Sequence, residues 1–539
     1  MVMLEHEEFT EDQEKVLSRY VTNTTGSIFV LRNLPEVIKG ALFSRYSRSS
    51  LGLRSLLLKD FILNEETGFD VIVGEQSSSE EQLLAIKKAQ NFYDRILDGY
   101  GDDSIGELGG AHLAVENISM LAAKFIEDCR IGGSPLEKST RYIYFDQKIK
   151  GEYLYYREPI LMTSAYRDLY LATCNMLFET YSKLIPPLTE KFEQAYPKTE
   201  EISKVAYTAS IRAKVLDCLR GLLPAGTLTN MGVFGNGRFF EGLIRKLHCA
   251  NLAELQEIGC DAFTELSKTI PSFVRRASSS HKNQITYAQF HETMDTQLHL
   301  IAAKHDKVSC GHTHPGVRLV DYDAGSVAKV AAGLLFAETN YGLEELQQYC
   351  RRLSHEEIAK IFDAASSARE SRRDKSPRAL EHGQFTFEIV TDFGIYRDLQ
   401  RHRILTQQRQ ILGCKYGYSL PEEIKGTELG KEYCHALEEA KKRHDTMATE
   451  FPEEAQYVVP MAYNVRWYFH VNLRSLQWLC ELRSTPAGHP QYRLVAQEMA
   501  RQAIEACPLF ECFLKFVNFE GHSLGRLEQE QKKAEKALR

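Results

Sequence analysis

The sequence predicts an α+β protein built from two tandem copies of one domain. Motifs recur in the same order along the chain: "IKGALFSR" near the N-terminus matches "VAAGLLFAE" in the second half, and four further pairs follow in colinear order. Helical and strand patterns also occur together, because "GSVAKVAAGLLFAE" has helical periodicity whereas "FTFEIV" alternates as a strand does. We therefore expect each copy to combine a mixed sheet with packed helices.

The repeated motifs predict the domain boundaries. We expect a first copy at residues 20–275, a linker at 276–314 and a second copy at 315–539. The first copy is longer between its matched motifs, which predicts an insertion near 146–210, in a Tyr-rich stretch. The repeat is much longer than the roughly 20–50 residues of a solenoid unit, so a solenoid is excluded. The final "LEQEQKKAEKALR" predicts a solvated helix or a frayed tail.

Length and composition limit the class of protein. A chain of 539 residues is too long for one core, and 43% hydrophobic with 26% charged residues is typical of soluble globular proteins. The net charge of -7 argues against general binding to nucleic acid or anionic membranes. No apolar run approaches the roughly 18–20 residues of a membrane span, and "MVMLEHEEF" lacks the pattern of a signal peptide. The 12 cysteines form no CxxC pair, which favours a reducing cytoplasm. We expect a cytoplasmic protein without nucleic-acid or membrane partners.

Positive charge is concentrated in "RDLQRHRILTQQRQ", directly after the predicted strand. We predict a helix through "IYRDLQRHR", on which Arg397 and Arg401 share a face. An isolated cluster of this kind is more often a solvated helix end, where cations interact favourably with the helix dipole. The functional interpretation is an anion site, because guanidinium groups bind phosphate in a bidentate way. Between two arginines, His402 should be neutral.

A second polar cluster is "SPLEKSTRYIYF" in the first copy. Glu137, Ser139 and Arg141 alternate, so an extended segment would project them from one face, where they could bind a polar base or a phosphate. A plain amphipathic edge strand is the alternative. Paired metal-ligand spacing is absent from the sequence, so we expect no metal site.

Together these motifs resemble the flavin-dependent thymidylate synthases, whose members carry RHR, E-x-S-x-R-Y, A-R-x-x-L-P and N-x-R-S-L. The resemblance covers most of both copies, but each copy has only part of the set. The second copy keeps the triplet Arg401–Arg403 and "NLRSL" from Asn472, and it has "RQILGCKY" in place of the nucleotide loop. The first copy keeps "EKSTRY" and "LRGLLP". In place of RHR it has the triplet "DCR", whose last residue is Arg130. The two sets of losses are complementary.

The resemblance implies reductive methylation of dUMP to dTMP, with FAD as cofactor, NADPH as reductant and 5,10-methylenetetrahydrofolate as carbon donor. The catalytic residues that it implies are Arg141, Ser139 and Arg401. The residues that it implies for substrate binding are Glu137, Ser139, Thr140, Arg141, Arg220, Asp398, Arg401 and Arg483. The residues that it implies for cofactor binding are Arg401, His402, Arg403, Ile404, Asn472, Arg474, His489, Ser104, Glu107, Ser376 and Glu381. Asp398 stands where the family often has glutamine.

Because the family forms homotetramers with sites between subunits, the resemblance implies a homodimer of this chain, a pseudo-tetramer. Each complete site would combine the first-copy loop with the second-copy RHR, either within one chain or between chains. Two alternatives remain open at this point. One is a non-catalytic regulator that binds a nucleotide or a flavin. The other is a related flavin–folate methyltransferase with another nucleotide, or a tRNA base, as its substrate.

Overall fold

A computed structural model describes residues 9–47, 49–64, 105–305, 314–522 and 524–537 of the protein. Within these ranges, none of the helices has both the length and the apolar character that crossing a membrane requires.

The N-terminal segment is helical. It contains α1 (Glu11–Leu17), α2 (Glu36–Tyr46) and α3 (Leu53–Leu56), which continues as a π-helical turn over Leu57–Ile62. The first helix begins with a capping box, in which Thr10 Oγ1 accepts from the Gln13 amide and the Gln13 side chain accepts from the Thr10 amide. Apolar side chains of the three helices form one buried cluster.

The first repeat follows, and strands and helices are interspersed in it. Its strands are β1 (Gly110–Ser119), β2 (Gly133–Glu137), β3 (Lys148–Ile149), β4 (Glu152–Tyr153) and β5 (Leu228–Asn236). Its helices are α4 (Met120–Asp128), α5 (Pro159–Thr163), α6 (Arg167–Ala195), α7 (Lys204–Leu219), α8 (Gly237–His248), α9 (Ala253–Leu266) and α10 (Pro271–Val274), and α11 (Lys282–Ala302) lies in the expected linker. Short 3-10 turns cover Ile105–Glu107, Arg220–Leu222, Arg275–Ala277 and Ala303–His305.

The second repeat has the same kinds of element. Its strands are β6 (Gly316–Tyr322), β7 (Gln384–Asp392), β8 (Thr406–Arg409) and β9 (Asn464–Asn472). Its helices are α12 (Ser326–Phe336), α13 (Leu343–Cys350), α14 (His355–Ser366), α15 (Phe393–Leu399), α16 (Glu428–Ala448), α17 (Leu473–Arg483), α18 (Pro490–Ala506) and α19 (Leu527–Ala537). Its 3-10 turns cover Arg378–His382, Glu454–Val458 and Pro508–Phe513.

The strands form small sheets with the orders β1-β5-β2, β3-β4 and β6-β7-β9-β8. In β7 the side chains of Phe385, Phe387 and Ile389 are buried, as the alternating "FTFEIV" pattern predicts. The α+β prediction is confirmed. In one detail it is corrected: the four-stranded sheet is antiparallel throughout, not mixed. Alternation of this kind is typical of antiparallel sheets with one solvated face, and the expectation of a mixed sheet did not take it into account.

Two local predictions are wrong. Helix α15 ends at Leu399, so the RHR triplet lies in the turn that follows and not on the helix. The chain must leave the helix there because β8, a few residues later, pairs with β9, and tertiary pairing overrides helix propensity. In the first repeat, β2 ends at Glu137, so Ser139 and Arg141 are not in an extended segment. The Ser139 hydroxyl instead accepts from the Arg141 amide at 3.2 Å, a local bond that competes with strand structure.

The chain divides into two compact units, each with its own internal packing. The first unit holds the described residues within 1–116, 125–137 and 230–308, and the second unit holds those within 117–124, 138–229 and 309–539. The second unit therefore combines the whole second repeat with the central part of the first. This division by compactness differs from the division by repeat, whose boundaries, linker and insertion stay a prediction.

Candidate functional site

The second unit brings together motifs that are far apart in the sequence. Arg141, in the nucleotide-loop motif "EKSTRY", binds Asp217 on α7 in a bidentate way. Its Nε donates to Oδ1 and its Nη2 donates to Oδ2, both at 2.7 Å. The guanidinium predicted to contact an anionic ligand thus has a carboxylate partner inside the protein. Sequence analysis did not find Asp217, although this residue lies three positions before Arg220 of the recognised "LRGLLP" motif.

Asp398 joins the retained motifs of the two repeats. Its Oδ2 accepts from Arg220 Nη1 of the first repeat at 2.9 Å, and its Oδ1 accepts from Arg401 Nη2 of the RHR triplet at 3.0 Å. Arg220 is 4% exposed, and its Nη2 is buried without a hydrogen-bond partner among the residues that the structure describes. Because a buried donor without a partner is costly, this atom fits a site whose ligand supplies an acceptor.

Arg483 and His402 form the other side of the site. Arg483, the last residue of α17, donates from Nε to His402 Nε2 at 2.9 Å. Its guanidinium lies 5.5 Å from the ring centroid of Tyr492, and the Arg141 guanidinium lies 5.4 Å from the same ring. Tyr492 therefore lies within cation–π distance of an arginine from each repeat. It was missed, although it lies three residues after His489, one of the residues implied for the cofactor.

The buried arginines control the ionisation of their neighbours. Burial alone would raise the pKa of Asp398, but Arg220 and Arg401 outweigh it and hold this pKa well below its usual range. Burial likewise raises the pKa of Asp217, but Arg141 lowers it by more than burial raises it. The Asp217 pKa is therefore also below its usual range. Both carboxyl groups are therefore ionised at neutral pH.

The two histidines of the site are neutral. Burial, together with the charges of Arg483 and Arg401, lowers the pKa of His402 well below its usual value. This bears out the expected neutral imidazole. Burial, followed by Arg220, lowers the pKa of His489 to about 3. The His489 Nε2 lies 3.2 Å from the Asp217 carbonyl oxygen, and its Nδ1 accepts from the Gln491 amide at 3.2 Å.

The remaining substrate candidates divide between the units. Thr140 is buried in the second unit, where it lies between Ser139 and Arg141 in the turn. Glu137 is the last residue of β2, which pairs with β5, and it belongs to the first unit. The candidate pair of Ser139 and Arg141 thus lies with the second-repeat residues in one unit, and Glu137 is assigned to the other.

The flavin candidates form two groups. Arg403 and Ile404 are exposed on the turn after α15, next to Arg401. The second group lies at the start of α17, where Arg474 donates from Nη1 to Glu381 at 2.8 Å and from Nε to the Ser376 carbonyl at 2.9 Å. Arg483 lies nine positions after Arg474 on α17, a rise of roughly 13 Å. Ser104 lies outside the described residues.

The second group has a counterpart in the first repeat. Asn472 caps α17 by accepting from the Ser475 amide at 2.8 Å, and Asn236 caps α8 by accepting from the Phe239 amide at 2.8 Å. The second helical residue of α8, Arg238, donates to Glu107 at 2.7 Å, as Arg474 does to Glu381. The same cap and the same ion pair recur at matched sequence positions, which supports a common origin of the two repeats.

A cavity with a volume of about 90 Å³ lies beside Arg220 and Asp217. Its lining includes Lys214, Asp392, Glu423, Tyr433, His489 and Arg526. Burial raises the pKa of Asp392 to about 6, although Arg220 opposes the shift. Among the residues that the structure describes, no three His, Cys, Asp or Glu side chains cluster as a metal ion would require.

The repeated α+β fold and the arginine-rich cluster define a tandem protein whose two repeats both contribute residues to that cluster. Comparison with known families agrees. The family described as "Thymidylate synthase complementing protein" matches residues 66–272 and again residues 318–509. These segments cover more than half of the chain, so the protein belongs to this family. The double match confirms the prediction of two tandem copies.

Similar proteins fall into two groups. A UPF0159 protein of Chlamydia pneumoniae is 54% identical over 527 residues, covering 98% of both chains. A UPF0159 protein of Thermoplasma acidophilum is 32% identical over 527 residues, covering 93% of this chain and 99% of its own. A flavin-dependent thymidylate synthase of Clostridium tetani is 24% identical over 216 residues, covering 36% of this chain and 83% of its own. The last alignment corresponds to part of the tandem chain, and it supports the expected resemblance at the level of the family.

Proposed function

We propose that the protein is an FAD-dependent enzyme that methylates dUMP to dTMP, with methylenetetrahydrofolate as carbon donor and NADPH as reductant. The observation that carries the proposal is the hydrogen-bonded chain Arg220–Asp398–Arg401, which connects the retained motifs of the two repeats within one unit. The motifs that each repeat has lost are those that the other supplies.

The charge of the site suits an anionic nucleotide. Five guanidinium groups lie around Asp217, Asp398 and Asp392, which are ionised at neutral pH, and the two histidines are neutral, so an excess of positive charge remains. The five belong to Arg141, Arg220, Arg401, Arg483 and Arg526. Arg141, Arg220 and Arg483 would hold the phosphate and polarise the uracil carbonyls. In a water-poor site this stabilises negative charge that develops on the ring as C5 attacks.

Nucleophilic catalysis by a side chain is not part of the proposal. Burial raises the pKa of Cys414 and of Cys218, which keeps both thiols protonated. The Ser139 hydroxyl accepts from the Arg141 amide, and a hydroxyl in that position orients a ligand. Bond formation would thus come from the polarised pyrimidine.

The residues on the turn after α15 fit a flavin nucleotide. Arg401 and Arg403 offer guanidinium groups for a diphosphate, and the exposed Ile404 offers apolar surface for a flat ring. Asn472, Arg474 and His489 would hold the ring, with Ser376 and Glu381 fixing Arg474. When bound, the flavin would supply the hydride that completes the methyl group.

Purified protein tests the proposal directly. We expect a yellow preparation with flavin absorbance, or uptake of added FAD, and formation of dTMP from dUMP when methylenetetrahydrofolate and NADPH are supplied. Omission of each component in turn should stop the reaction. Colourless protein that takes up no FAD and forms no dTMP would overturn the proposal.

A second candidate is a related flavin–folate methyltransferase with another pyrimidine nucleotide as substrate. The observation that favours it is Asp398, which places a carboxylate between two arginines where the family often has glutamine. The same assay with a panel of pyrimidine nucleotides distinguishes the two, because the true substrate should give the highest kcat/KM. A non-catalytic regulator would bind its ligand in this panel without turnover.

A further inference from the structure

The C-terminal segment reaches the candidate site from beyond the residues that the family model matches. The family match ends at residue 509, and helix α19 begins at Leu527. Sequence analysis predicted a solvated helix or a frayed tail here, and the segment is helical over Leu527–Ala537. It is not only solvated, because Arg526, directly before the helix, is 6% exposed.

Arg526 binds the backbone of the turn that carries Arg141. Its Nη1 donates to the Arg141 carbonyl oxygen at 3.1 Å, and its Nε donates to the Ala487 carbonyl oxygen at 3.3 Å. The guanidinium lies 4.6 Å from the ring centroid of Tyr142, the next residue of the turn. One side chain thus connects the turn to the segment that precedes α18.

The position of Arg526 is fixed by its neighbours. At Gly525, an added Cβ would lie 1.9 Å from the Pro486 carbonyl oxygen, so only glycine allows this close approach. Further along α19, Gln531 donates to the Glu201 carbonyl oxygen at 3.0 Å. The segment is therefore anchored on both sides of Arg526.

The charge of Arg526 is only partly balanced. Its Nη2 lies 4.0 Å from Asp217 Oδ1, and this carboxylate already binds Arg141 at 2.7 Å. Two buried guanidiniums thus share one aspartate, and Arg526 also lines the cavity. A buried cation without a full partner is costly, and an anionic ligand would reduce that cost.

We propose that Arg526 is a positioning residue of the candidate site, which holds the Ser139–Tyr142 turn in its ligand-binding conformation through the Arg141 carbonyl. The C-terminal segment is then a functional part of the site, although it lies beyond the residues that the family model matches. This inference rests on the proposed function for the identity of the ligand, dUMP. The contact with the turn does not depend on it.

The first test needs no ligand. Hydrogen–deuterium exchange is compared in the full-length wild type, Arg526→Ala, Arg526→Lys and the control Lys532→Ala, which removes an exposed cation of α19. We expect faster exchange of the Arg141 and Tyr142 amides in Arg526→Ala, with an intermediate effect in Arg526→Lys and none in the control. Unchanged exchange in a folded Arg526→Ala would overturn the proposal. If that variant does not fold, Arg526→Lys decides by the same criterion.

The second test separates positioning from general stability. For dUMP, we expect Arg526→Ala to raise KM roughly tenfold with a much smaller change in kcat, and Arg526→Lys to recover part of the loss. The effect on dUMP binding should be smaller when Arg526→Ala is added to Arg141→Ala, because part of it is exerted through the Arg141 side chain. Additive losses would overturn the proposal. Failure of the wild type to bind dUMP would refute the proposed function and leave the exchange test to decide on Arg526.

Discussion

Arg220 donates from Nη1 to Asp398 Oδ2 across 2.9 Å, and the two residues come from different repeats of one chain. The contact places the arginine of the first repeat's "LRGLLP" motif beside the RHR triplet of the second. It also bears on a question that the sequence leaves open, namely whether a composite site forms within a chain or between chains.

Because the retained motifs meet within one chain, we predict one FAD and one dUMP per chain. Titration of FAD-depleted protein should show a single equivalent of flavin. Mixing Arg141→Ala chains with Arg401→Ala chains, followed by unfolding and reassembly, should restore no activity, since each chain carries its own defect. Partial recovery would show that the site is shared between chains, and two equivalent flavins would show that both sets of motifs bind.

Arg401→Ala should reduce turnover at least tenfold, because it removes a charge-assisted contact worth roughly 1.5–3 kcal/mol from the site. The Arg401 side chain is partly exposed and bonds to Asp398, so we expect a stability loss of no more than about 1 kcal/mol. The matched control is Arg130→Ala, in the degenerate triplet of the first repeat. Steady-state kinetics measure the turnover of both variants, and thermal melting measures their stability. Normal turnover in a stable Arg401→Ala protein would count against the assignment.

Arg141→Ala should also destabilise the protein, since it leaves Asp217 buried without its bidentate partner. Breaking a buried pair costs about 3–5 kcal/mol, whereas replacing both partners by apolar side chains costs much less. Urea unfolding should therefore show a larger loss for Arg141→Ala in the wild-type background than in an Asp217→Asn background, in which no buried carboxylate is left unpaired. Equal losses would show that the two charges are not coupled.

Asp398→Asn should strengthen the binding of dUMP and leave the binding of deoxyuridine unchanged. The carboxylate lies between Arg220 and Arg401, and it repels a phosphate that approaches them. Removing one negative charge at that position should improve phosphate binding by roughly threefold to tenfold. Isothermal titration with the two ligands measures the difference. Weaker binding of dUMP in the variant would instead mean that Asp398 orients the arginines for the ligand.

Asp392→Asn should stabilise the protein at pH 8 and have little effect near pH 4. Burial raises the Asp392 pKa to about 6, against about 4 in the unfolded chain, so the folded state loses stability as the pH rises between these values. At about 1.4 kcal/mol per pKa unit, the variant should gain up to about 3 kcal/mol above pH 7. Asparagine caps α15 as well as aspartate does. Urea unfolding at both pH values tests this, and a pH-independent difference would contradict it.

The sequence was sufficient for features that depend on local pattern. The alternation in β7, the repeat and the retained motifs could all be read from residue types. The end of α15 at Leu399 could not, because it depends on β8 pairing with a strand some 60 residues later. Asp217 and Arg526 could not be identified either. Each acts through a contact with Arg141, and neither belongs to a recurring motif that would set it apart from ordinary surface charge.

The covalent link between the two repeats has a further consequence. When complementary residues lie on separate subunits, the fraction of complete sites falls as the protein is diluted below the dissociation constant of the assembly. In this chain the Arg220–Asp398 contact forms during folding, at an effective concentration that the polypeptide itself fixes. For the proposed site, the number of complete sites would then equal the number of folded molecules at any dilution.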